Sequence, residues 1–162
     1  MEKFQELRDI SIKKLQTADH MLTMTYPFVQ DPKLLILVIE NLFLAATNAM
    51  GSVLHYERLF KRIPPFQDTF ESKYNMFRLK CADNFDPEHI ALIGELKDII
   101  IAHRKSPVEF SKKDRFVICS EDYQMRTISL PGLKEYIQKT KLFIQRTQQI
   151  VSKNESLFRG RS

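Results

Sequence analysis

The chain has 162 residues, of which 43% are hydrophobic and four are glycine, and its formal net charge is +5. That length and apolar content suit one ordinary domain with a sizeable core and exclude wholesale disorder, while so few glycines argue against a β-rich fold, which uses them in its turns. The charge is uneven, because residues 1–96 carry two more acidic than basic side chains and residues 97–162 carry seven more basic than acidic, so any polyanion is expected on the second part.

Cys81 and Cys119 form neither a disulfide framework nor a zinc pattern and read as buried free thiols, in keeping with a cytoplasmic location. The opening MEKFQELRDI is charged from its second residue and lacks the apolar core of a signal peptide. Phe4, Leu7, Ser11, Leu15, Ala18, Leu22, Thr25 and Val29 fall on one stripe, which predicts a first helix over 3–29, with Pro27 bending or ending it. Asp31-Pro32 is a start signal, since the carboxylate caps free N–H groups and proline has no N–H to lose at the first helical position. A second helix is expected from Pro32 to Arg62, stopped by Ile63-Pro64-Pro65. Its most apolar run, Leu34 to Met50, is interrupted by Glu40, Asn41 and Asn48 and reads as a buried bundle helix, with no membrane partner expected.

Asp68 is expected to cap a third helix carrying Phe70, Tyr74, Phe77 and Cys81 on one face. Asp86-Pro87 repeats the start signal, so the third helix breaks near Asn84 to Pro87 and resumes through Ile90, Ile93, Leu96 and Ile100. Ser106-Pro107 ends it. RFVICS at 115–120 and MRTISL at 125–130 are β-branched and predict a small hairpin, preceded by a basic loop. Ser129 caps the final helix, whose stripe runs from Leu133 through Tyr136, Phe143 and Ile144 to Val151, with a frayed tail at 158–162. The predicted fold is all-α: an elongated antiparallel, up-and-down bundle of four main helices, the third broken, with a small β-hairpin before the last.

Two residue sets are candidates for function. On the second helix, Asn41, Asn48, Ser52 and His55 align with Ala45 at spacings of three and four and form a polar seam, either for a partner or for pairing within the bundle. At the end of the third helix, His103, Arg104 and Lys105 suit the negative end of the helix dipole. Together with Lys112, Lys113 and Arg115, interleaved with Phe110 and Phe116, they also form an anion or RNA candidate. A di-iron bundle site would need Glu-x-x-His pairs, and the sequence has none. The four histidines have no metal spacing, and neither a P-loop nor a dinucleotide fingerprint is present. No metal or cofactor is therefore expected.

The layout of long antiparallel helices, a third helix ending near the polar stretch His103-Arg104-Lys105, and a closing helix resembles the HEPN superfamily. RNA-cleaving members carry an arginine followed four to six residues later by histidine. Here His103-Arg104 and His55-x-x-Arg58 have the reverse order, so the resemblance implies a non-catalytic member that binds a nucleotide, an RNA or a protein. The sequence thus reads as a non-enzymatic binding module for a protein partner or a second copy of itself. The alternative is an RNA-directed role, binding or HEPN-like cleavage, on residues 103–115.

Overall fold

Apolar periodicity becomes helix along most of the chain, and the computed structural model, which describes residues 1–153, contains five helices with a small antiparallel sheet before the last. Helix α1 spans Lys3–His20 and opens with a reciprocal capping box between Glu2 and Gln5. It continues through a wide π-helical turn, Met21–Thr25, into a last turn, Tyr26–Val29. Pro27 has no N–H to close the turn before it, which accounts for widening at that point. Gln30, left-handed at φ 54°, ends the run by donating its N–H to Tyr26 O at 2.7 Å.

Helix α2, Lys33–Leu59, is the centre of the fold. Leu35, Ile39, Leu42, Ala49 and Leu54 are fully buried, and the helix packs against every other helix. It stops three residues short of the expected Arg62. Lys61 turns left-handed at φ 58°, and the N–H groups of Lys61 and Arg62 bond to Arg58 O and Glu57 O, each at 3.0 Å. This is a Schellman closure with lysine in the usual glycine position. By length and composition α2 is long and apolar enough to cross a membrane, and 56% of that apolar window is buried inside this fold.

Helix α3, Phe70–Lys80, is capped by Thr69, whose hydroxyl accepts from the Ser72 N–H at 3.2 Å. Asp68, the expected cap, lies one residue too early and pairs with Lys73 instead. A 3-10 turn at Ala82–Asn84 leads to α4, Pro87–Lys105, where Asp86 accepts from the Glu88 N–H at 2.9 Å. The break falls where Asp86-Pro87 predicts it. Phe77, Phe85 and Phe143 fill it, with ring centroids 4.9–6.0 Å apart.

Three strands follow where two were expected: β1 Val108–Lys112, β2 Arg115–Cys119 and β3 Met125–Ser129, paired in that order. The segment read as a basic loop is strand β1. A third strand relieves the marginal stability of an isolated hairpin. The glycine that a tight turn usually needs is replaced by Asp114 (φ 59°) between β1 and β2 and by Tyr123 (φ 61°) before β3. Ser129 then caps α5, Leu130–Val151, by accepting from the Gly132 N–H at 3.1 Å. The predicted stripe of α5 is buried at Leu133, Ile137, Thr140, Phe143, Ile144, Thr147, Ile150 and Val151. The tail at 158–162 lies outside the described residues.

Candidate interaction surface on the three-stranded sheet

Directly paired residues on neighbouring antiparallel strands share a face, so the register sorts the sheet. Glu109, Ser111, Phe116, Ile118, Arg126 and Ile128 fall on one face, and Phe116, Ile118 and Ile128 join the helical core. The opposite face carries Val108, Phe110, Val117, Cys119, Met125 and Thr127, with the cross-strand pair Lys112 and Arg115 at one end. Val108, Phe110 and Met125 are exposed by 56%, 40% and 67%. The outward face is therefore an uncharged apolar strip with a cationic end. Among the described residues β1 pairs with β2 alone and leaves its other edge unpaired.

Polar contacts at several points fix this sheet to the helices. Asp114 at the first turn accepts from the Tyr26 hydroxyl at 2.7 Å, and its carbonyl accepts from the Leu130 N–H at 3.2 Å. Burial and then the Asp114 carboxylate push the Tyr26 phenol up to about 12. On the inner face, Glu95 of α4 accepts from the Tyr136 hydroxyl at 2.5 Å and lies 3.7 Å from the Arg126 guanidinium. Burial, then the Glu95 hydrogen bond, raises Tyr136 to about 12 as well. At the end of α4, His103 Nδ1 meets Glu109 at 2.6 Å, and its ring stands edge-on to Phe116, with centroids 6.1 Å apart. Ser106 Oγ lies 2.7 Å from the carbonyl oxygens of both Val108 and Cys119, so its single proton is shared between the ends of two strands.

The six basic candidates therefore do not form one site. His103 lies under the inner face, paired with Glu109. Arg104 and Lys105 are exposed in the last turn of α4. Lys112 and Arg115 face each other across the strands, with Lys113 exposed at the turn between them. Beside the β1 edge, a groove of about 410 Å³ opens between the sheet and the start of α2. Ile36, Leu37, Phe110 and Phe116 give it apolar walls, and Lys33, Glu40, His103 and Glu109 bring both signs of charge.

The polar seam on α2 is not a single network either. Asn41 and Asn48 donate to carbonyls of their own helix, Leu37 O at 2.9 Å and Leu44 O at 2.7 Å. Buried Ser52 donates to Phe4 O of α1 at 2.8 Å. His55 stands edge-on to Phe66, with centroids 5.2 Å apart, and burial, then Lys73 and Lys3, lower its pKa. Among the described residues no group of three or more His, Cys, Asp or Glu side chains gathers as a metal site. Of the two free thiols, Cys81 is buried as read from sequence, whereas Cys119 is only partly covered, on the outward sheet face.

The outward apolar face is not evident from sequence because VEFSK at 108–112 reads as part of a basic loop. The signal was present, since Val108 and Phe110 alternate with Glu109 and Ser111. No known family model, curated protein or solved structure matches the chain.

Proposed function

We propose that the protein is a non-enzymatic binding module, a HEPN-like up-and-down bundle of four main helices whose appended sheet receives a polypeptide partner or a second copy of the chain. The observation that carries this reading is the outward sheet face, where Val108, Phe110 and Met125 stand exposed around buried Val117 and half-buried Cys119 with no charge among them. A small sheet that leaves such a strip open next to an unpaired edge has two means of recognition, apolar contact and strand addition. Lys112 and Arg115 at the end of the strip favour a partner whose apolar segment is followed by acidic residues.

The same face supports the RNA alternative at one point only: Phe110 shares it with Lys112 and Arg115, a ring and two cations that a base and its phosphates would use. Catalysis by His103 has weaker support, because no arginine stands four to six residues before it as in the RNA-cleaving members.

The test is sedimentation velocity of the full chain over rising concentration, with pull-downs, for wild type, Phe110→Glu and Lys112→Glu/Arg115→Glu. Association or capture that Phe110→Glu abolishes is the expected result. RNA binding that falls steeply with salt and vanishes in the charge-reversal variant would move the assignment to nucleic acid. A wild type that stays monomeric, and retains no partner that Phe110→Glu loses, would remove the sheet face from the function.

A further inference from the structure

At the far end of α2 from the sheet, four basic side chains converge on one groove. Lys3 from the first turn of α1 and His55, Arg58 and Lys61 from the end of α2 line an open space of about 380 Å³. One carboxylate, Glu2, faces them there, and it is engaged in accepting from the Gln5 backbone N–H in the capping box of α1.

Helix dipoles account for part of this arrangement only. Arg58 lies in the last turn of α2, where positive charge is favoured and where it also donates to Ile63 O at 3.5 Å, and Lys61 follows that turn. Lys3 is placed against its dipole, since it occupies the positive end of α1. Lys61 is held at φ 58°, a conformation that glycine adopts without the Cβ penalty and lysine rarely takes. The field around His55 is positive on balance: after burial, the charges of Lys73 and Lys3 favour its neutral form. Exposed Asp68 opposes them but is itself paired with Lys73. With His55 held towards its neutral form, Lys3, Arg58 and Lys61 still outnumber Glu2, an excess of positive charge that a bound anion would relieve.

We propose that this groove binds a small phosphorylated anion, its phosphate or diphosphate oxygens held by Lys3, Arg58 and Lys61 with the His55 imidazole as a further donor. Its volume suits a small molecule, and the site is independent of the sheet face.

The experiment titrates inorganic pyrophosphate into the full chain at low salt while the His55 imidazole is followed by NMR, with sodium chloride at matched ionic strength as the control arm. Saturable binding that raises the His55 pKa is expected. Lys61→Gly should weaken binding roughly tenfold, the scale of one charge-assisted contact, while holding or raising thermal stability, because glycine fits the left-handed turn. Arg58→Gln should weaken it to a similar degree. An unchanged His55 resonance, an equal effect from chloride, or wild-type affinity in both variants would each overturn the proposal.

Discussion

Replacing Tyr26 by Phe removes one oxygen and no packing, and the structure gives that oxygen a defined task. The ring is 4% exposed and stays in place, so no cavity forms. What is lost is the hydrogen bond of 2.7 Å to Asp114, which ties the first turn of the sheet to the end of α1. Hydrogen bonds to charged partners contribute about 1.5–3 kcal/mol. Asp114 is only half-buried, so water takes over part of the bond, and the expected cost is about 1–2 kcal/mol. Urea unfolding measures the total, and amide exchange locates it: protection should fall first across β1 and β2 and hardly at all in α2.

A pH arm separates this bond from general damage. The Tyr26 phenol sits at about 12 against an ordinary value of 10.0. A folded pKa above the unfolded one stabilises fully below the unfolded value and is lost as pH rises through the folded one. The advantage of wild type over Tyr26→Phe should therefore hold up to about pH 10 and disappear towards pH 12. A loss under about 0.5 kcal/mol, with sheet protection unchanged, would refute the view that Asp114 anchors the sheet through Tyr26.

Ile144→Ala should cost about 2–5 kcal/mol in chemical denaturation, because Ile144 is 2% exposed in the core stripe of α5; a loss within about 0.5 kcal/mol would reverse the assigned face of that helix. The hydroxyls of Ser11 and Thr140 are buried with no hydrogen-bond partner among the described residues. Thr140→Val and Ser11→Ala should hold stability or raise it by up to about 1 kcal/mol, and a clear loss in melting temperature would mean that those hydroxyls are paired. Burial, then the Glu57 charge, pushes the Cys81 thiol up to about 11, so a thiol reagent at pH 8 should label Cys119 first and Cys81 only on unfolding. Equal labelling rates in the folded protein would contradict that order.

The helices were legible because their signals are local. Asp86-Pro87, Ser129 with Pro131, and the stripe from Leu133 to Val151 each specify a helix through backbone capping or period alone. Asp68 misled because Thr69, one residue later, is also a good cap, and the choice between them depends on where the chain turns extended. The end of α2 misled because lysine in a left-handed closure leaves no glycine to read. The third strand was hidden for a different reason: a five-residue strand exposed at four positions carries little hydrophobic contrast, and pairing with β2 decides it. The candidate sites suffered most, because the side of the sheet on which His103 or Lys112 falls depends on that register.

Helix α2 determines how the two proposed surfaces relate. The sheet face adjoins, through Phe110, a groove built on Lys33, Ile36, Leu37 and Glu40 at the start of α2, and the cationic groove is built on His55 and Arg58 at its end. At 1.5 Å per residue along one continuous helix these lie about 30 Å apart. Several Debye lengths separate them at physiological salt, so charge changes at one end leave the potential at the other nearly untouched. Any coupling between partner binding at the sheet and anion binding at the far end must then travel through packing along α2. There Ala45, Ala49 and Gly51 are buried, and Leu7 lies close against Gly51. Sites this far apart that share no side chain behave independently, so Phe110→Glu and Lys61→Gly should act additively in a double-mutant cycle. An interaction energy above about 0.5 kcal/mol would show that the two ends communicate.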